Sequence, residues 1–367
     1  MPDALPDALP DAVPDAATLR ALRWILCEAR LDGPTLAARV GFDLPALQLE
    51  AHERAEFAAW DAAAPAGVAP ADAPIDDRWR LGLHVERLVA LWVCASRHAE
   101  LLASNWLLRR DARTVGEADL LVRRGHGTAA ATAAAEADGD GDGSTRFEHW
   151  EVAFKIYLAI APGHDLGLDL RDTLAGKCRH LRDRQLALTC DPGFAAAWRA
   201  SVGARAPGAA LAPAAGWHAR TILSGWLFAP LARVCDGSRE APDRRRPPAT
   251  TVTKPPHGWL VADMAGLDAA EALGRSLGVG GWTVLGRREW LMPVQLDPGA
   301  DVARAERGVF GTLAGLAVAH PMRPAMIAGL GAAPGGGMTE LLRLVAVSQR
   351  WADAASSGSS PISASAS

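Results

Sequence analysis

The stretches TVGEADLLVRR (residues 114–124) and FEHWEVAFKIYLAI (residues 147–160) decide the fold, because both are apolar runs interrupted by charged residues. Side chains two apart on a strand point to the same face, so Glu117 and Asp119 share one face of the first run. If the two runs pair as a hairpin, their charged positions converge on one surface of a sheet. Buried charges are costly unless they are paired or bound to a metal, so the pattern predicts a functional use.

Lysine is rare in this chain and one lysine lies within the second run. Lys and Arg together number 38, but only Lys155, Lys177 and Lys254 are lysines. An arginine keeps its charge, whereas a lysine is a compact point charge whose pKa can shift. Lys155 follows Glu151 by four residues on the same predicted face, which favours a chemical need for an amine there. The alternative is a compositional bias that left one lysine unreplaced.

The composition predicts a globular protein of one to three domains. The chain has 367 residues, is 49% hydrophobic and 22% charged, and carries a net charge of −4, so nucleic-acid binding would require local basic patches. No uncharged apolar run reaches about 18 residues, which argues against a membrane span. The five cysteines are scattered without a CxxC pair, which argues against a disulfide framework and predicts a reducing, cytoplasmic location. The sequence carries no signal for oligomeric state.

Changes in composition divide the chain. We predict a disordered tail (1–17), a helical N-terminal region with a linker (18–77), a core (78–235) with a flexible insert (127–146), a second linker (236–256), a small α+β region (257–354) and a disordered end (355–367).

Within the core, hydrophobic periodicity predicts a mixed α/β fold. The predicted elements are a helix over 78–104, strands over 106–108, 115–122 and 149–160, a helix over 169–189, and a further strand in RTILSGWLFAP (220–230). After the second linker, we expect short strands in HGWLVADM and WTVLGRREWLMPVQL, then helices near 301–318 and 338–353, with a flexible glycine-rich turn over 329–337.

The helix over 169–189 has a basic face. Lys177, Arg179, Arg182 and Arg184 lie along it, and Gln185 lies near its end. Most such charge runs are solvated faces. Because this helix directly follows the second acidic run, a phosphate-facing role is the functional alternative.

Two further patterns are weak. The DGDGDG run at 138–143 resembles the start of a calcium loop, but its twelfth position is His149, where such a loop needs a bidentate Glu. His149, His164 and His180 show no metal-ligand spacing, so we interpret them as surface or structural residues.

The strand with GEAD, followed by a strand with an acid and a lysine, resembles the PD-(D/E)XK nuclease superfamily. The resemblance implies a restriction-endonuclease-like α/β core, a mixed sheet flanked by helices. It implies that Asp119 and Glu151 hold a divalent metal, Mg²⁺ or Mn²⁺, with Glu117 as a possible extra ligand. The reaction it implies is metal-assisted hydrolysis of phosphodiester bonds in DNA or RNA.

The same resemblance assigns supporting roles. Lys155 matches the lysine that positions the attacking water, and Gln185 in RDRQLAL matches a helix glutamine of exonuclease-like branches. Glu86 matches a helix acid in front of the sheet, although periodicity alone favours a partly exposed acid beside an apolar stripe. One departure is the spacing, since the superfamily usually places its lysine two residues after the acid, where this chain has Ala153. The lysine therefore lies about 13 Å rather than about 7 Å along the strand, unless a bulge shortens the gap.

The chain also resembles a bacterial family known as domain of unknown function 1853. The motifs that carry this resemblance are RLGLHVERL (80–88), TVGEADLLV (114–122), HWEVAFKIYL (149–158), DLRDTLAGKCRHLRDRQLAL (169–188), SGWLF (224–228) and REWLMPV (288–294). Membership implies a PD-(D/E)XK-like core but no activity.

Three functions therefore stay open. The first is a metal-dependent nuclease with nucleic acid as partner, in which Lys177, Arg179, Arg182 and Arg184 contact phosphates. The second is an inactive nuclease-fold protein that acts as a binding or scaffolding module, which the shifted lysine favours. The third is a hydrolase of other phosphate substrates. An active site requires its carboxylate and lysine heads within about 4–6 Å of a shared point.

Overall fold

A computed structural model of the protein describes most of the chain. The described residues are 16–32, 34–63, 81–111, 113–125, 146–203, 216–235, 255–296, 309–333 and 336–357. The predicted tails, the insert and the second linker lie outside these residues apart from a few end positions, and so does the DGDGDG run.

The described residues form ten α-helices and ten strands, with four helices preceding the first strand. The helices are α1 (Ala16–Arg23), α2 (Pro34–Val40), α3 (Ala51–Ala63), α4 (Leu81–Ala95), α5 (Leu174–His180), α6 (Phe194–Gly203), α7 (Leu231–Cys235), α8 (Met264–Leu277), α9 (Val309–Ala319) and α10 (Gln349–Ser357). The strands are β1 (Ala99–Arg110), β2 (Arg113–Arg124), β3 (Arg146–Ala161), β4 (His164–Gly167), β5 (His218–Pro230), β6 (His257–Val261), β7 (Gly281–Val284), β8 (Gln295–Leu296), β9 (Ala325–Ala332) and β10 (Met338–Val347).

All ten strands belong to one mixed sheet flanked by helices, in agreement with the α/β fold class predicted above. The main path runs β1-β2-β3-β5-β6-β10-β9-β7, with β4 paired to β3 and β8 paired to β10. β3 is antiparallel to β2 and parallel to β5, so it lies at the junction of the antiparallel and parallel parts.

β3 is buried on both faces because its two sets of alternate side chains meet different layers. On one face Trp150 stacks on Trp92 of α4, with ring centroids 5.5 Å apart. On the other face Ala153 and Tyr157 belong to the apolar cluster that contains Leu174 of α5. The acidic run is therefore a central strand, and its charged side chains lie under a helix.

The N-terminal helical region packs directly onto β5. The Leu31 amide donates to the Leu223 carbonyl at 2.8 Å, and the Leu47 amide donates to the Thr221 carbonyl at 2.8 Å. The Ser224 hydroxyl donates to the Ile25 carbonyl at 2.7 Å. The backbone bonds lie on one edge of β5, and β3 pairs along the opposite edge, so the N-terminal region is part of the core of the sheet.

The C-terminal region extends the same sheet. β5 pairs in parallel with β6 through Ala229 and Gly258, and β6 pairs with β10. The predicted helix near 338–353 is wrong, because residues 338–347 form β10, which is bonded to β6 on one side and to β9 on the other. The run is buried along most of its length, and its apolar residues suit a strand with neighbours on both sides.

Three other local predictions differ from the structure. The helix predicted to end at 104 stops at Ala95, and β1 begins at Ala99, far earlier than the predicted strand at 106–108. Gly329–Ala332 belong to β9 and not to a turn. α8 was not predicted, although Asp263 caps its start by accepting from Gly266 and Gly278 ends it at φ 82°. In the described part of the chain, no helix has the length and apolarity needed to cross a bilayer.

Candidate active site

The edge of β3 that faces β2 has a gap, and the candidate site lies there. β2 pairs with residues 146–150 of β3, and β4 takes over the same edge from Tyr157 onward. Between these two pairings, Asp119 of β2 bridges the opening, since its Oδ2 accepts a hydrogen bond from the Val152 amide at 2.8 Å. A carboxylate thus occupies the place of the next ladder bond.

Asp119 and Glu151 face each other across this opening. A hydrogen bond joins their carboxyl groups, which raises the pKa of Asp119 and lowers that of Glu151. Burial and the Glu151 charge also raise the pKa of Asp119, which reaches about 8. Burial outweighs the hydrogen bond at Glu151 and raises its pKa to about 7. Near neutral pH the pair therefore shares a proton, as two close carboxyls do when both cannot ionise.

Glu151 is fixed by two further side chains. Its Oε1 lies 2.6 Å from His149 Nε2, and its Oε2 accepts a hydrogen bond from the Gln185 amide. His149 is fully buried, and burial lowers its pKa to about 4, so the ring is neutral and donates through Nε2. His149 is thus a buried partner of Glu151, whereas its sequence spacing predicted only a surface or structural residue. The spacing of two residues on one strand was the signal that would have placed it beside Glu151.

Lys177 of α5 is the amine that acts on the two carboxyl groups. It is partly buried, and its Nζ donates to Gln185 Oε1 at 2.9 Å, so the glutamine links it to Glu151. The Lys177 charge lowers the pKa of Asp119 and of Glu151 against the stronger effect of burial. Burial and the Lys155 charge in turn lower the pKa of Lys177.

Lys155 pairs with a different acid. Its Nζ lies 2.7 Å from Oδ2 of Asp172, in the turn before α5, and the Tyr157 hydroxyl lies 3.4 Å from the same oxygen. Gly167 permits this arrangement, because a Cβ there would come within 2.1 Å of Asp172 Oδ1. The structure therefore brings Asp119, Glu151 and Gln185 together, while Lys155 is bound to Asp172.

The other predicted acids lie at the outer side of the pair. Glu86 is partly buried on α4, and burial, Asp119 and Glu117 together raise its pKa to about 7. Glu117 itself is exposed on β2. Glu86 is thus electrostatically coupled to Asp119 and Glu117.

The arginines of the basic helix are exposed to solvent. Arg179, Arg182 and Arg184 all lie on the solvent side of α5 and the helical turn that follows it. The Arg182 guanidinium lies 4.1 Å from the centre of the Phe42 ring and pairs with Asp183 at 2.6 Å. Lys177 is partly buried and bonds to Gln185, whereas these three arginines are exposed.

The donor set suits a small divalent cation with oxygen ligands. Two carboxyl groups share a proton, and a cation could replace that proton and relieve their repulsion. In the described residues, no three His, Cys, Asp or Glu side chains are arranged to hold a metal. Asp119 and Glu151 would be the carboxyl ligands of such a cation, and Mg²⁺ usually keeps several waters beside one or two carboxylates.

The fold and site define an α/β protein with a large mixed sheet, helices on its faces and a paired carboxyl site in an opening of the sheet. The chain belongs to the family described as Domain of unknown function (DUF1853), whose model matches residues 20–133 and 140–347. Comparison with curated proteins and with solved structures gave no match.

Proposed function

We propose that this protein is a metal-dependent phosphodiester hydrolase that acts on nucleic acid, built on a PD-(D/E)XK-like core. The observation that carries the proposal is the Asp119–Glu151 carboxyl pair at the gap between β2 and β3. A structural salt bridge would pair these acids with cations. Here a shared proton and the neutral donors of Val152, Gln185 and His149 hold them.

Each residue at the gap has a role in this reaction. Asp119 and Glu151 would hold Mg²⁺ or Mn²⁺, which when bound activates water and stabilises charge on the phosphoryl oxygens. Gln185 and His149 fix the two oxygens of Glu151. Such second-layer partners orient carboxylate ligands and tune their basicity.

The basic surface supports nucleic acid as the substrate. Arg179, Arg182 and Arg184 are exposed on the helical segment that also carries Lys177 and Gln185, and we propose that they contact phosphates of the substrate backbone. Such contacts position a backbone without reading its sequence. The net charge of −4 restricts this attraction to the local patch.

The test is divalent-metal binding by titration calorimetry together with cleavage of DNA and RNA substrates. We expect micromolar to millimolar Mg²⁺ or Mn²⁺ binding and metal-dependent cleavage by the wild type. Asp119→Asn and Glu151→Gln should lose both. Asp183→Asn is the control for loss of a carboxyl group, because Asp183 is exposed on the helical turn after α5 and pairs with Arg182 rather than with another carboxyl group.

A second candidate is a catalytically inactive nuclease-fold protein that acts as a binding or scaffolding module. The observation that favours it is the Lys155–Asp172 ion pair, because it holds the ammonium of the lysine on β3 at Asp172 and not at the carboxyl pair. A folded wild type that binds neither metal would support this candidate and overturn the nuclease proposal.

A further inference from the structure

We infer that Lys177, and not Lys155, supplies the ammonium group that acts on the scissile phosphate at the Asp119–Glu151 pair. This inference rests on the proposed function and deepens it. It assigns to Lys177 of α5 the role that the nuclease resemblance gives to Lys155 of β3.

A continuous chain of hydrogen bonds connects Lys177 to Glu151 through Gln185. Lys177 Nζ donates to Gln185 Oε1 at 2.9 Å, and the Gln185 amide donates to Glu151 Oε2. Lys177 and Gln185 are eight residues apart, on the helical segment that covers this face of β3. The glutamine therefore holds the ammonium at the carboxyl pair.

The second link between Lys177 and the site is electrostatic. The Lys177 charge acts on Glu86, Asp119 and Glu151, the acids clustered around the gap. The ammonium is partly buried, where charges interact more strongly than in water. A phosphate that enters the gap would thus meet this cation at close range.

Lys155 is already bound elsewhere. Its ammonium is held by Asp172, which also lies within reach of the Tyr157 hydroxyl. Its backbone is fixed by Gly225 of β5, where a Cβ would come within 1.7 Å of the Lys155 carbonyl oxygen. β3 and β5 are therefore packed closely at Lys155, and moving the Lys155 ammonium to the carboxyl pair would break its ion pair with Asp172.

In the reaction, the oxygen of a water molecule forms a bond to phosphorus while the bond from phosphorus to the leaving oxygen breaks. One proton of the attacking water passes to solvent, and the leaving oxygen takes a proton from a second water. Lys177 donates hydrogen bonds to a non-bridging phosphoryl oxygen throughout, which offsets the negative charge that grows there. Lys155 takes no part in this step.

The first experiment compares Lys177→Met with its matched control Lys155→Met. We expect the Lys177 variant to bind Mg²⁺ at least as tightly as the wild type, because a neighbouring positive charge is gone, and to lose about 100-fold or more in cleavage rate. Lys155→Met should keep cleavage within about threefold. Loss of cleavage in Lys155→Met with activity retained in Lys177→Met would overturn the inference and leave the nuclease proposal standing, whereas a wild type that does not cleave would overturn both.

A second measurement follows the lysines in the wild-type protein and uses variants only to assign the signals. The chain has three lysines, so selective ¹³Cε-lysine labelling gives a three-resonance NMR spectrum. Addition of Mg²⁺ to the wild-type protein should shift the Lys177 resonance and leave the Lys155 resonance in place. Lys155→Arg and Lys177→Arg assign the signals, and a shift confined to Lys155 would contradict the inference.

Discussion

The Asp119 carboxylate accepts a hydrogen bond from the Val152 amide at 2.8 Å, across the point where β2 and β3 stop pairing. This bond satisfies a backbone donor that the parting strands would leave exposed. It also places Asp119 opposite Glu151, so the opening in the sheet and the carboxyl pair have the same structural cause.

We predict that Asp119→Asn stabilises the protein at pH 8. Burial and Glu151 raise the pKa of Asp119 from 3.8 to about 8, so the folded state holds a proton that the unfolded state has lost. The contribution of Asp119 to the free energy of unfolding is therefore complete below pH about 4 and decreases as the pH rises towards 8. Asparagine does not titrate and still accepts from Val152, and we expect a gain of about 1–3 kcal/mol at pH 8.

Urea unfolding at pH 5 and pH 8 measures this difference. Asp183→Asn serves as the control, because Asp183 is fully exposed and its pKa is lowered by Arg182. Equal stability of wild type and Asp119→Asn at pH 8 would contradict a raised pKa at position 119.

We predict that divalent-metal affinity rises with pH. A cation must displace the proton shared by Asp119 and Glu151, whose pKa values are raised to about 8 and about 7. Affinity should therefore rise by up to about tenfold per pH unit between pH 6 and 8, with proton release on binding. Calorimetry in buffers of different ionisation enthalpy counts the released protons, and binding that does not vary with pH would contradict the shared-proton site.

Gln185→Leu should weaken metal binding by about 10-fold to 100-fold without unfolding the protein. The change removes the donor to Glu151 Oε2 and the acceptor of Lys177 Nζ while keeping similar side-chain volume. Gln349→Leu is the control, since Gln349 is exposed on α10 and bonds only locally to Asp353 at 2.8 Å. Calorimetry on both variants measures the effect, and unchanged affinity in Gln185→Leu would remove Gln185 from the site.

Arg124→Met should destabilise the protein by about 3–5 kcal/mol. Arg124 is buried on β2 and bonds to Glu53 of α3 and to Glu148 of β3, both fully buried. Its loss removes the guanidinium that neutralises these two carboxylates, which keep only the neutral donors of the Glu50 amide and Trp150 and a longer contact from Glu148 to Arg220 at 3.8 Å. Arg123→Met is the matched control. Arg123 is the sequence neighbour of Arg124 and pairs with the exposed Glu100, so its replacement should cost under about 1 kcal/mol. Chemical denaturation compares the two, and equal costs would show that the buried network contributes little.

Gly225→Ala should destabilise by more than about 3 kcal/mol or prevent folding. Gly225 has φ 140°, and an added Cβ would lie 1.7 Å from the Lys155 carbonyl oxygen. Gly82→Ala offers the contrast, since this α4 glycine has nothing within 4 Å of the added Cβ, and the change should stabilise the helix by about 0.5–1 kcal/mol. Thermal melting of both variants tests the pair, and a well-folded Gly225→Ala would show that β3 and β5 can separate.

The sequence predicted the strands that carry the site, because alternation along a strand is a local property. Alternation predicted that Asp119 and Glu151 lie on one surface of a sheet if the two runs pair, and periodicity predicted that Gln185 lies near the end of the helix that follows. The helix predicted near 338–353 was wrong because tertiary pairing with β6 and β9 decided the structure of that apolar run.

The sequence by itself determined which residues share a face, since the two-residue period of a strand fixes that relation. Only the tertiary structure decided which lysine reaches the carboxyl pair. Lys155 and Glu151 are a fixed number of strand residues apart, whereas Lys177 reaches the pair because Leu174 and Leu181 pack their helical segment over Ala153. That packing joins residues far apart in the chain, and no local spacing encodes it.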